Sequence, residues 1–183
     1  MSGKFFLDDR LKKFRRRTAV ILPKDIGIII GISALSKNDE VVEIGGGSGY
    51  GTFYLARIAR RVYVYERRID VFEDLKYNLR DFDNVEIYNI DGKEANHYAY
   101  LYVIDSPEAM EILDRVHIYI QKWVFVYVPN ITQAKEIYMK IKSLGFRAYL
   151  VRNFLEEWEV DEKILKPKHK QLYHTGFLVI GEK

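Results

Sequence analysis

The chain of 183 residues contains no cysteine, which excludes disulfide bridges, thiol nucleophiles and cysteine-based zinc sites. Long apolar runs are missing too. The best candidate, residues 26–35, is interrupted by two glycines and falls short of the roughly 20 residues that a membrane helix requires. No membrane partner is therefore expected. The N-terminal stretch MSGKFFLDDRLKKFRRR lacks the uninterrupted apolar segment and small-residue cleavage site of a secretory signal, so a cytoplasmic protein is expected. Internal repeats, low-complexity tracts and long linkers are also lacking, and the length suits one compact domain.

Charge is present but unevenly spread. Residues 1–24 hold eight Lys or Arg against two Asp, a balance of +6 in a chain whose total is +3, so the remainder carries −3. The excess gathers at Lys12, Lys13, Arg15, Arg16 and Arg17, with a smaller cluster at Lys166, Lys168 and Lys170. Such a run is either a solvated arm or a surface that neutralises phosphates. A basic arm is expected over residues 1–22, with Lys12, Lys13, Arg15, Arg16, Arg17, Lys168 and Lys170 as candidate RNA contacts.

Patterning alternates between strand-like and helix-like segments. Strands are expected over residues 40–44, 61–65, 84–89, 98–104 and 123–128, each rich in Val, Ile and Tyr. Helices are expected over 23–35, 50–59, 70–80, 108–115 and 132–143, the last stopped by Gly145. This β-α-β-α order predicts an α/β fold with helices on both faces of a parallel sheet. Two final strand-like runs, 146–160 and 172–181, have no helix between them and can be neighbours only as an antiparallel pair. The expectation is a seven-stranded, mostly parallel Rossmann-like sheet ending in an antiparallel hairpin, as in class I methyltransferases, with one such domain over 23–183.

The stretch VVEIGGGSGYG puts five glycines into positions 45–51, directly after the first strand. Ligands of open α/β sheets sit outside that strand end. No frame here supplies the dinucleotide fingerprint G-x-G-x-x-G, and the phosphate loop G-x-x-x-x-G-K-[ST] occurs nowhere in the chain. Gly45, Gly46, Gly47, Ser48 and Gly49, preceded by Glu43 and followed by Tyr50, suit a ligand edge passing over bare backbone, with an acid available for an amine. Glu66, ending the second strand, is placed to accept from ribose hydroxyls, and Asp91, after the third, to reach an adenine amino group. In this order the elements indicate S-adenosylmethionine. No metal site is expected.

More specific patterns run through residues 16–183. Pro23-Lys24-Asp25 opens a helix before the glycine loop, and Tyr65-Glu66-Arg67-Arg68 ends the second strand. Asp105-x-Pro107 follows the fourth strand, Tyr127-x-Pro129-x-x-x-Gln133 the fifth, and Lys166-Pro167 precedes a final His174-Thr175-Gly176-Phe177. In these features the chain resembles the tRNA (adenine-N1) methyltransferases that modify the T-loop adenine. The resemblance implies that Arg67 belongs with the cofactor residues. It also implies that Asp105 contacts both the target adenine and the cofactor's reactive end, with tRNA as partner. Adenine N1 already carries a lone pair, so alignment is the main task. A carboxylate accepting from the exocyclic amine would both orient the base and favour the charge developing on it. Asp105 can equally cap the helix near Pro107.

Tyr50 and Tyr127 are candidate stacking platforms for a base, whereas a structural hydrogen bond is expected of His174. Departures lie on the acceptor side. Leu22 stands where the family often has Tyr or His, Asp105-x-Pro107 continues as Glu-Ala-Met, and only about twenty residues precede the match, where the family carries a β-rich domain. The basic arm is expected to substitute in part for that domain, which a partner subunit would otherwise supply, and assembly into a homo-oligomer is left open. Two alternatives remain open at this point: a methyltransferase for a different RNA or a small molecule, and a noncatalytic RNA- or partner-binding subunit.

Overall fold

A computed structural model describes residues 8–169 and 174–183. Seven strands form the main sheet: β1 (Glu40–Ile44), β2 (Arg61–Tyr65), β3 (Val85–Tyr88), β4 (Ala99–Ile104), β5 (Ile120–Val128), β6 (Arg147–Val151) and, after a small hairpin, β9 (Phe177–Glu182). Their order is β3-β2-β1-β4-β5-β9-β6. β9 runs antiparallel to both β5 and β6, while the remaining pairs are parallel. The chain moves outward from β1 through β2 to β3, then returns to the other side of β1 for β4. This reversal opens a crevice at the carboxyl ends of β1 and β4, where ligands of such sheets bind.

Alternation along the strands assigns each side chain to one of two apolar layers. Val41, Leu101 and Val103 face the layer containing α1 (Pro23–Ser33), α2 (Tyr50–Ala56) and α3 (Ile69–Leu79). Val42, Ile44, Tyr102 and Ile104 face the layer covered by α4 (Ala109–Val116) and α5 (Ile131–Ser143). Each fully buried side chain of this size stabilises by about 1.5–3 kcal/mol. The same alternation turns Glu43 towards α2, beneath the glycine loop.

Local signals set the helix ends. Pro23 occupies the first turn of α1, where its missing N–H costs nothing. Asn130 caps α5 by accepting from the Gln133 amide at 2.9 Å. Gly145 follows α5 with φ +89.

One expected strand divides. Of residues 146–160, only Arg147–Val151 joins the sheet, and β7 (Trp158–Val160) pairs instead with β8 (Leu165–Pro167) as a separate hairpin. The polar stretch Arg152-Asn153 interrupts the run, because Asn153 turns inward to bond α1. The second expected run begins later too, at Phe177, with residues 172 and 173 outside the described residues.

Residues 8–22 pack on the domain instead of extending from it. Leu11 and Ile21 are buried among the α1–α3 side chains, and the Leu11 carbonyl accepts from the Tyr50 hydroxyl at 3.0 Å.

Candidate active site

The glycine loop joins β1 to α2 and meets its own chain on every side. Gly45 has φ +85, and a Cβ there would overlap the Asp105 carbonyl oxygen, so the ends of β1 and β4 touch only because the side chain is absent. Gly47 has φ +55, and a Cβ on it would lie 2.9 Å from Thr18 Oγ1. Gly51 leaves room for the Glu43 carboxyl. The Ser48 hydroxyl, buried, meets the Thr18 hydroxyl at 3.1 Å and accepts from the Arg17 amide at 3.2 Å. Part of the glycine requirement thus comes from the protein's own close approaches.

Beside this loop lies a cleft with two compartments that share Gly45 and Asp105. The larger, about 260 Å3, is bounded by Ile44, Glu66, Arg67, Asp91 and Pro107. The smaller, about 20 Å3, is bounded by Val20, Ile21, Glu43, Gly47 and Tyr50. The larger is nucleoside-sized. The smaller is lined by Asp105 and by Glu43, which burial keeps protonated at neutral pH, and its volume is that of about one water. The larger compartment fits the nucleoside part of S-adenosylmethionine.

The acids occupy distinct states. Glu66 is buried at the end of β2, accepting from the Gly47 amide at 3.2 Å and the Arg68 amide at 3.0 Å. Asp91 accepts from the Lys93 amide at 2.9 Å, capping a short turn, and lies 3.7 Å from Arg67. Arg67 in turn pairs with Glu108 at 2.6 Å, and Glu108 with Lys93 at 2.9 Å. Arg67, Asp91 and Glu108 border one rim of the larger compartment, with Lys93 behind them, and Glu108 entered the sequence reading only as a departure from the family pattern. Asp105 sits at the junction. Among the described residues no side chain hydrogen-bonds its carboxylate, and it caps no helix: the Ser106 hydroxyl receives the Glu108 amide, and Glu108 precedes α4. Burial, and then the charge of Glu66, pushes Asp105 up to about 6, so it is ionised at neutral pH.

Glu43 is wholly enclosed, accepting from the Thr52 hydroxyl, and burial pushes it up from 4.5 to about 8. A carboxyl that holds its proton more tightly when folded adds stability below pH 4.5, and this is lost as pH rises through about 8. Glu43→Gln should therefore flatten the decline of stability across that window. Thermal melts from about pH 5 to pH 8 check this, and an unchanged decline would contradict it.

Of the nominated aromatics, Tyr50 has no free face for a base. It is buried, edge-on to Phe14 at 5.7 Å, although it borders the small compartment. Tyr127 is half-buried against Gly176, hydrogen-bonded with Thr175, and pushed up to about 12 by burial. The charge of Asp105 also reaches its hydroxyl. Leu22 precedes α1, is half-buried, and borders neither compartment. His174 makes the expected structural bond, its Nε2 lying 2.8 Å from the Pro129 carbonyl oxygen.

Three motifs distant in sequence meet here. Lys24 Nζ donates to Asp25 at 2.7 Å, to Thr175 Oγ1 at 2.7 Å and to the Asn153 carbonyl at 3.1 Å. Thr175 and Asn153 each donate to Asp25 at 2.9 Å. This enclosed cluster ties α1 to the segment before β9 and backs Tyr127. Asn153 escaped the sequence reading because no motif marks it.

The basic residues are partly engaged. Arg17 pairs with Asp74, which lies 3.7 Å from Arg15, and Lys12 pairs with Asp9. Arg16 donates to the Thr18 carbonyl at 3.3 Å, and Lys13 is exposed. Lys168 pairs with Glu157, and Lys170 lies outside the described residues. Among the described residues no helix is long and apolar enough to cross a membrane, and no cluster of metal-binding side chains occurs.

A profile of the ribosomal RNA adenine dimethylase family matches residues 23–173. The chain belongs to that family. The methyltransferase is also 26% identical to the tRNA (adenine(57)-N(1)/adenine(58)-N(1))-methyltransferase TrmI of Methanocaldococcus jannaschii, over 94% of this chain and 74% of that protein. Identity is 29% with the tRNA (adenine(58)-N(1))-methyltransferase TrmI of Thermus thermophilus, over 94% of this chain and 72% of that protein. The crystal structure of tRNA (m1A58) methyltransferase TrmI from Aquifex aeolicus superposes with a TM-score of 0.87 at 26% identity, covering 95% of this chain and 74% of that one. The resemblance drawn from the sequence motifs thus stands. The chain is an S-adenosylmethionine-dependent enzyme of the class I methyltransferase fold, which removes the noncatalytic alternative.

Proposed function

We propose that this methyltransferase transfers a methyl group from S-adenosylmethionine to N1 of an adenine in tRNA, in the cytoplasm. The observation that carries this reading is Asp105, a half-buried carboxylate that no side chain among the described residues hydrogen-bonds, at the junction of the two compartments. Its support comes also from the tRNA (adenine-N1) methyltransferases to which nearly the whole chain aligns.

When bound, S-adenosylmethionine supplies an electrophilic methyl group and leaves as a neutral thioether. Glu66 is assigned the ribose hydroxyls, Arg67 and Asp91 the adenine side of the cofactor pocket. Glu43, Ser48, Tyr50 and the backbone of Gly45, Gly46, Gly47 and Gly49 are assigned the amino-acid end. Asp105 accepts from the exocyclic amine of the target adenine, which turns the N1 lone pair towards the methyl group. Methylation at N1 leaves a positive charge on the base, and the adjacent carboxylate stabilises that charge as it forms. Tyr127, held by Thr175, walls the acceptor side. Lys12, Lys13, Arg15, Arg16, Arg17, Lys168 and Lys170 are assigned to RNA phosphates.

The family profile favours one second reading, methylation of an adenine amino group in ribosomal RNA. Either RNA acceptor requires that binding weaken steeply with salt, because phosphate contacts release counterions. Affinity for tRNA, measured between roughly 50 and 200 mM salt, should fall by orders of magnitude. Absent or salt-insensitive binding would point to a small-molecule acceptor.

A further inference from the structure

A second cavity, about 390 Å3, lies between the N-terminal segment, α2 and the end of α3. It exceeds the nucleoside-sized compartment and shares no lining residue with either compartment of the cleft. Phe14, Phe53, Tyr77 and Phe82 supply its aromatic surface, and Arg10, Lys13 and Arg80 its cations, against one acid, Asp81. Arginines also cap the rings: Arg10 and Arg57 lie 5.1 and 5.3 Å from the Phe53 centroid, Arg15 and Arg80 3.7 and 4.3 Å from that of Tyr77.

Aromatic rings and guanidinium planes stack on bases, and exposed cations meet phosphates. Arg10 is held by Asp8 and Arg80 donates to the Tyr77 carbonyl at 2.6 Å, while Lys13 is exposed, so the cavity presents rings, guanidinium planes and an exposed cation together, a set that suits a nucleotide better than a neutral apolar ligand. The cavity is also joined to the reaction site, since the segment that supplies Arg10, Lys13 and Phe14 continues to Thr18 at the glycine loop and Ile21 at the small compartment. From these features we infer that the cavity holds an unpaired nucleotide of the RNA substrate, its base against Phe82 and the guanidinium planes that cover Tyr77 and its phosphate at Lys13 and Arg80. This rests on the reading of the acceptor as RNA.

The test is photocross-linking of the full chain to tRNA carrying 4-thiouridine, with the cross-linked peptides mapped, beside a Lys13→Ala/Arg80→Ala variant. Cross-links should fall in residues 10–17 and 77–82 and disappear in the variant. The variant's tRNA affinity should drop about tenfold and its logarithmic salt slope by about two contacts' worth, with S-adenosylmethionine affinity kept as the check on folding. Cross-links confined to residues 105–108 and 127, with full affinity in the variant, would overturn this inference while leaving the RNA reading intact. Cross-links in the cavity only after removal of residues 1–7 would also overturn it, because the chain itself would then cover the site. Failure of the parent chain to bind any RNA would overturn both readings.

Discussion

Asp105→Ala should lose methyl transfer while binding S-adenosylmethionine almost as well as the parent. The contact that joins β4 to the glycine loop runs through the Asp105 backbone carbonyl, which packs against Gly45, so removing the side chain leaves the cofactor cleft in place. What disappears is the carboxylate that aligns the base and offsets its developing charge. Loss of one preorganised electrostatic partner costs about 10²- to 10³-fold in kcat. The parent rate should also fall below pH 6, since the carboxyl is pushed up to about 6 by burial and by Glu66 and only its ionised form offsets the charge developing on the base. Asp105→Asn should remove that pH dependence along with most of the rate. Single-turnover kinetics paired with calorimetry would separate the two effects, and unchanged turnover in either variant would remove the proposed role.

Gly47→Val should abolish measurable cofactor binding. The position has φ +55, and the new Cβ would stand 2.9 Å from Thr18 Oγ1. A left-handed conformation costs a side-chain-bearing residue about 1–2 kcal/mol, and crowding a packed site adds about 1–3 kcal/mol. Relieving that strain moves the Gly47 amide, which now donates to Glu66 at 3.2 Å, and so disturbs the ribose-binding acid as well as the amino-acid end. Together these come to about 2–5 kcal/mol, which corresponds to a loss of about 30- to 5,000-fold in affinity. Gly47→Ala combined with Thr18→Ala removes the clash but keeps the backbone cost, so part of the affinity should return. Normal affinity for Gly47→Val in a titration, in a protein with an unchanged melt, would contradict the assignment of the loop.

How far the chain could be read in advance depended on whether a feature was local. β1 and β2 have the expected bounds, because runs of Val, Ile and Tyr are set off there by charged residues and glycines. Helix α2 ends at Ala56, before the expected Ala59, since Arg57 and the residues after it turn towards β2. The glycine loop announced a close approach, yet its spacing could not distinguish an approaching ligand from Thr18, Glu43 and the Asp105 carbonyl. The N-terminal segment misled through its charge: five Lys or Arg between positions 12 and 17 masked Leu11, Phe14 and Ile21, which dock it on the domain.

Long-range polar contacts were the least legible. Lys24 was marked as part of a motif, but its bonds to Asn153 and Thr175 span 129 and 151 positions. No periodicity encodes such partners. Only the sheet order, with β9 inserted between β5 and β6, brings Thr175 and Asn153 to the start of α1. The expected strand over 146–160 failed for the same reason, because the inward turn of Asn153 is a tertiary event. Asp105 stood out on its motif, whereas its lack of a side-chain partner among the described residues became visible only once its surroundings were known.

The account rests on the identity of the methylated atom. Unmodified tRNA incubated with labelled S-adenosylmethionine and the full chain, then digested and separated into nucleosides, tests it most directly. The account predicts label in 1-methyladenosine, and lost from it in Asp105→Ala. Label in N6-methylated adenosine, or none in RNA at all, would contradict it.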